Sequence, residues 1–188
     1  MKMIPVKLIV QLSLGVALVF TSPVFADQTD KRLDDLFAAL QSTEDQAELQ
    51  TIESSIWEIW FDSGLPEIDV LMEEAGTAVQ TGKLDYAEEL YSKVIKKLPE
   101  FSEGWNRRAT VRFYRNDYTG SLEDIQRTLI LEPRHFGATW GLGMILGSRR
   151  DLIGAIAAFE RLLEIKPNAS DARPRLELLK QALANSAV

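Results

Sequence analysis

Pro99, Pro133 and Pro167 stand 34 residues apart, and other columns keep the same step. Small residues recur at Ala75, Ala109 and Gly143, and again at Ala87, Ser121 and Ala155. Bulky apolar residues recur at Leu84, Tyr118 and Leu152, at Tyr91, Ile125 and Phe159, and at Ile95, Leu129 and Leu163. A repeat of this length means that each unit is one supersecondary piece, whose apolar face is buried only by stacking on its neighbours. Within a unit the apolar residues fall at helical spacing, as in Ile153, Ile156, Phe159, Leu162 and Leu163. Polar turns such as Gln80-Thr81-Gly82-Lys83 and Arg115-Asn116-Asp117 split each unit into two helices. The proline then ends the second helix, since it lacks an amide donor and clashes with the preceding turn. The predicted unit is a pair of antiparallel helices in which small columns admit close approach and the residue four along from Ala87 or Ala155 fills the gap.

With these columns the chain resembles the tetratricopeptide repeat (TPR) family, in copies at 68–101, 102–135 and 136–169. The third copy carries Leu142-Gly143, Ala155, Phe159 and Pro167; the second carries the family's early Trp105, then Ala109, Tyr118 and Pro133. The first has the inter-helix turn Gly82-Lys83-Leu84-Asp85-Tyr86-Ala87. Glu74 and Arg108 depart from the leucine that precedes the small residue, and Trp140 stands one place after the tryptophan position, held by Thr139. The resemblance implies an all-α, right-handed superhelix of about three repeats.

The flanks read as helices too. Ser170-Asp171, then Pro174 in a first turn and Leu176, Leu179 and Leu183 on one face, predict a capping helix within 170–188. Upstream, residues 27–67 predict an acidic helical pair, a degenerate repeat or cap over the first repeat. Leu33, Leu36, Phe37 and Leu40 mark its first helix; Ser42 or Thr43 caps a second, carrying Ala47, Ile52, Ile56, Trp57 and Trp60. Residues 1–26 read as a secretory leader: Lys2 and Lys7, a mostly apolar run from Leu8 to Phe20, then Val24-Phe25-Ala26, with cleavage expected after Ala26. The run spans about 20 Å as a helix, short of the roughly 30 Å bilayer core, so no stable membrane insertion is expected after cleavage. The pattern is similar to small exported TPR proteins of Gram-negative bacteria, which implies a periplasmic location.

Composition narrows the chemistry. Without cysteine and with one histidine, thiolate metal sites, multi-histidine metal sites and cysteine nucleophiles are excluded. The net charge of −7 argues against nucleic-acid binding, which displaces counterions with excess lysine and arginine. The adjacent acids Asp34-Asp35, Glu73-Glu74 and Glu88-Glu89 diverge around a helix axis and read as solvated surface. Gly141-Leu142-Gly143 follows no strand and lacks dinucleotide-loop spacing. His135, after Pro133-Arg134, reads as loop surface. No catalytic residue, cofactor or metal set is predicted, and the chain is read as a non-enzyme.

What the resemblance implies instead is a concave groove lined by the first helices of the repeats, here Met72, Val79, Gln80, Asn106, Thr110, Phe113, Tyr114, Trp140, Met144 and Ser148. Methionine and aromatic side chains suit adaptable protein-binding surfaces, and Arg107, Arg112, Arg115 and Arg149 are expected to form a basic rim. A subclass of the family grips the carboxylate of chaperone tails, but the corresponding places hold Met72, Gly76, Arg107, Gly137 and Gly141, of which only Arg107 is of the right type. The expected role is a protein-interaction adaptor that binds a protein or peptide partner. Charge also permits homo-oligomers or an autoinhibited scaffold: residues 27–101 carry 18 acids against 6 bases, net −12, whereas residues 102–188 carry 10 against 13, net +3.

Overall fold

The computed structural model describes residues 28–186, so the expected leader and its cleavage site lie outside the described residues. Among the described residues there are nine α-helices and no strands: α1 (Arg32–Ser42), α2 (Gln46–Phe61), α3 (Pro66–Gln80), α4 (Leu84–Lys97), α5 (Ser102–Tyr114), α6 (Tyr118–Leu131), α7 (Phe136–Ser148), α8 (Leu152–Ile165) and α9 (Ala172–Ser186). Pairs α3–α4, α5–α6 and α7–α8 are the three 34-residue units of an all-α solenoid, and α9 packs on the last.

The repeat is visible in the backbone. Each unit turns between its helices on a left-handed residue, Gly82 (φ 73°), Asn116 (φ 62°) or Arg150 (φ 63°). The next amide then closes on a carbonyl five residues back: Lys83 on Ala78, Asp117 on Arg112 and Asp151 on Leu146, each at 2.9 Å. Asp117 and Asp151 start the second helices, their carboxylates accepting from the amides of Gly120 (3.0 Å) and Gly154 (2.9 Å). A Cβ on Gly120 would lie 2.3 Å from the Asp117 carboxylate, so cap and glycine come together. The first unit has Lys83 and Tyr86 at these two places instead. At the far ends Leu98, Glu132 and Lys166 leave the helical region (φ −135°, −133° and −133°), because the residue before a proline is disfavoured there.

Side chains follow the columns. Ala75, Ala87, Ala109, Ser121 and Ala155 are all buried. At Gly143 a Cβ would come within 2.7 Å of the Phe159 ring, so glycine is what lets α7 and α8 close on that ring. The Arg108 departure has a partner: its guanidinium grips the buried Asp124 carboxylate at 2.9 and 2.8 Å, and Arg112 adds a contact at 3.1 Å. The other units carry Leu90 and Ala158 at the place of Asp124. The second unit thus joins its two helices through an ion pair on a buried carboxylate.

The acidic pair departs from expectation. It does not form a continuous core with the first repeat. Leu33, Phe37, Leu40, Leu49, Ile52, Ile56 and Trp60 share a core with Phe136 of α7, Phe159, Leu162 and Ile165 of α8, and Ala172 and Leu176 of α9. The core of α3–α4 is separate. The outward side of α3 explains why: Glu67, Glu73, Glu74 and Thr77 are exposed around Val70, so it offers little apolar surface for a preceding helix. A turn at Asp62–Leu65, with Gly64 at φ 69° and Ser63 Oγ donating to Asp69 at 2.6 Å, redirects the chain. Polar ties then join the pair to the basic half: Glu53 to Lys166 (2.7 Å) and Asp34 to Arg134 (2.8 Å). Asn168 adds a bond to the Thr43 carbonyl (2.6 Å). The cap of α2 is Asp45 rather than Ser42 or Thr43, accepting from the amides of Ala47 and Glu48 at 2.8 and 2.9 Å. At the other end Glu177 of α9 occupies the small-residue column and is exposed with Arg173 and Lys180, so α9 ends the stack with a charged face.

Candidate functional site

Six of the ten predicted groove residues meet in one cleft. Helices α5 and α7 bring Asn106, Thr110, Phe113, Tyr114, Trp140 and Met144 together around a space of about 220 Å³, with Gly137 and Gly141 in its wall. Phe113 is held edge-on by Tyr118 (5.6 Å) and Trp140 edge-on by Phe159 (5.2 Å), so both rings are fixed by the repeat core behind them. Tyr114 is 58% exposed. Met72 and Gln80, together with Arg107 of the expected rim, line a different space of about 510 Å³ with Phe61, Asp69, Glu73 and Gly76, and Val79 and Ser148 line neither space.

Between the two spaces lies α2. Its Trp57 ring covers Gly137, where a Cβ would come within 2.9 Å of the indole. Trp57 is also edge-on to Phe136 (5.3 Å) and His135 (5.6 Å). Arg107 stacks on Phe61, its guanidinium carbon 4.3 Å from the ring centre, and reaches Trp57 at 5.6 Å. The acidic pair therefore occupies the N-terminal ends of α5 and α7, and the open cleft runs along the later turns of both helices.

Under this contact is a buried polar knot that the sequence reading missed. His135 is not loop surface but fully buried. Its Nδ1 accepts from the Ala138 amide at 3.1 Å, capping α7. That places the ring hydrogen on Nε2, which donates to Glu103 at 3.0 Å. Glu103, also fully buried, further accepts from Asn106 Nδ2 (2.9 Å) and Arg107 Nε (2.5 Å). Burial pushes the Glu103 carboxyl up, but the hydrogen bond from His135 and the charge and hydrogen bond of Arg107 outweigh it and hold the pKa below its ordinary value. A signal existed: Phe101, His135 and Ala169 form another 34-residue column, and all three are buried.

Three of the four arginines of the expected basic rim do not stand free. Arg107 is held by Glu103, Arg112 by Glu88 and Asp124, and Arg115 by Asp85 and Glu88, whereas Arg149 is exposed. Glu88 is correspondingly tucked between two arginines rather than solvated.

The tetratricopeptide repeat model matches residues 106–170. A TPR repeat-containing protein of Rhizobium etli is 35% identical over 156 residues, covering 83% of this chain and 76% of that protein. The chain belongs to the tetratricopeptide repeat family. The likeness to the Rhizobium protein extends beyond the 102 residues of the three TPR units. Among solved structures, the first TPR of Spaghetti (RPAP3) bound to the HSP90 peptide SRMEEVD superposes with a TM-score of 0.60 at 26% identity, covering 62% of this chain and 93% of that one. The Yersinia enterocolitica type III secretion chaperone SycD, in complex with a peptide of the translocator YopD, has a TM-score of 0.60 at 14% identity, over 63% of this chain and 95% of that one. The latter is a likeness of fold alone. The TPR architecture of this chain makes it a protein-interaction module.

Proposed function

We propose that this TPR chain is a non-catalytic adaptor, exported to the periplasm through a leader cleaved after Ala26, that holds a segment of a partner protein in the cleft between α5 and α7. The observation that carries the reading is the grouping of Phe113, Tyr114, Trp140 and Met144 around one open cleft. That a superposing TPR structure holds a peptide supports it, and the Lys2, Lys7 and Leu8–Phe20 pattern supports export. Placing a photo-crosslinking residue at Tyr114 in the native host tests the reading. A partner protein should be captured, and capture should be lost when Thr110→Arg is added. Capture that is indifferent to Thr110→Arg would move the site elsewhere. N-terminal sequencing of the periplasmic fraction should begin at Asp27.

A second reading has its own observation. Asp34–Arg134 and Glu53–Lys166 join the acidic helices to the basic half, and α2 covers Arg107 and Gly137, so the pair acts as an internal occupant of part of the groove. Light scattering at low and high salt separates an internally filled monomer, whose mass is salt-independent, from an electrostatic oligomer, whose mass falls with salt.

A further inference from the structure

We propose that the open cleft receives an uncharged stretch of partner polypeptide anchored by one bulky aliphatic or aromatic side chain, and that it rejects acidic tails. This rests on the adaptor reading and names the chemistry of its partner.

Charge comes first. None of the residues lining the cleft carries a charge. A carboxylate entering it would lose hydration and meet no cation in return. The arginines nearest by sequence are committed: Arg107 donates to Glu103 at 2.5 Å and stacks on Phe61, and Arg112 donates to Glu88 at 2.9 Å. The five positions where a carboxylate-gripping TPR holds its polar groups are Met72, Gly76, Arg107, Gly137 and Gly141 in this chain, and α2 covers Gly137.

Size comes second. A void of roughly 150 Å³ is enough for benzene, whereas pockets that enclose small-molecule ligands span about 300–1,000 Å³. At about 220 Å³ this cleft matches one large side chain projecting from a longer ligand.

Polar geometry comes third. The Asn106 amide already donates to Glu103 (2.9 Å) and the Thr110 hydroxyl to the Asn106 carbonyl (3.0 Å). At the rim, Tyr114 is 58% exposed and carries a hydroxyl that a ligand's backbone can meet. Walls of indole, phenyl and thioether with a polar tip at the mouth match a polypeptide that buries a side chain and keeps its backbone wet.

Two labelled probes added to the full chain decide the matter by fluorescence anisotropy. One is an acetylated, amidated decapeptide of Ser, Gly and Gln around a central Leu-Leu-Phe; the other is SRMEEVD with a free C-terminus. The neutral probe should bind at least tenfold more tightly than the acidic one. Thr110→Arg and, separately, Tyr114→Ala should each weaken it at least fivefold with unchanged helical content and melting temperature; Tyr114 is exposed and Thr110 is half-buried on the wall of the open cleft. Equal or tighter binding of the acidic probe, or neutral binding that survives both substitutions, overturns the inference and leaves the adaptor reading standing. Binding of neither probe at millimolar concentration also overturns it. In that case the crosslinker at Tyr114 separates the two ideas: a captured partner keeps the adaptor reading, no capture sinks both, and a crosslinked dimer means that the occupant is a second copy.

Discussion

The indole of Trp60 lies flat on the imidazole of His135, with ring centres 4.2 Å apart and planes within 8°. Both side chains are fully buried, so this stack is the point where α2 is fastened to the N-terminus of α7. Trp60→Ala should cost about 3–5 kcal/mol, the range for emptying a large buried aromatic site. Trp60→Phe should cost much less, because among the described residues the buried Trp60 Nε1 hydrogen has no acceptor and such a group carries a penalty of about 1–3 kcal/mol. Urea midpoints of the two variants check this; equal losses would show that the orphan donor contributes nothing.

The Glu103 knot makes stability depend on acid. A carboxyl whose folded-state pKa lies below its unfolded value adds stability above the unfolded value, and that contribution is lost as pH falls through the folded value. The ordinary value is 4.5 and the folded one is lower, so the contribution is intact at neutral pH and disappears below about pH 4.5. Glu103→Gln should be less stable than the parent at pH 7, with the gap narrowing toward pH 3.5. Denaturant midpoints across that range would show a parallel offset if the carboxylate charge were irrelevant.

The Arg108–Asp124 pair should behave as a replaceable ion pair. Asp124→Ala strands Arg108 and should cost about 3–5 kcal/mol. The double change Arg108→Leu with Asp124→Leu borrows the apolar residues that Leu142 and Leu90 supply at the same columns. It should recover most of that loss, with Arg112 still held by Glu88 at 2.9 Å. A double mutant no better than Asp124→Ala would mean that the pair is needed for its charge.

Arg150 holds a left-handed backbone (φ 63°) at the column where the first repeat has Gly82. Arg150→Gly should therefore raise stability by about 0.5–1 kcal/mol, since the strain removed is about 1–2 kcal/mol and glycine's added chain entropy offsets part of it. Asn116→Gly should gain less, because asparagine tolerates this conformation better. Thermal melts of the two variants measure the ranking.

Much of the site was legible in sequence because the repeat carries position with it. The resemblance to the TPR family, carried along the 34-residue register, assigned Asn106, Thr110, Phe113, Tyr114, Trp140 and Met144 to a common groove, and they line one cleft. Met72 and Arg107 were placed on the correct helices, but the insertion of α2 cut them off from the others. Arg112 and Arg115 were lost from the rim for a reason that no local pattern displays: Glu88 sits 24 residues before Arg112 and 27 before Arg115, and packing of α4 against α5 brings them into contact.

By itself the sequence determined the helix pairs, their turns and their ends, because helical spacing, left-handed turn residues, caps and prolines act within a few residues of themselves. It also determined which columns must be small, since a fixed repeat sets which side chains meet. Only the tertiary structure decided that the acidic pair turns away from α3 and docks on α7, α8 and α9. An amphipathic helix buries its face on whichever apolar surface lacks a partner. Here the outward side of α3 is acidic, whereas the far end of the stack offers Phe136, Leu162, Ile165 and Leu176 with Lys166 and Arg134 beside them. That choice depends on surfaces more than 70 residues apart, and it leaves the cleft between α5 and α7 open while α2 covers Arg107 and Gly137.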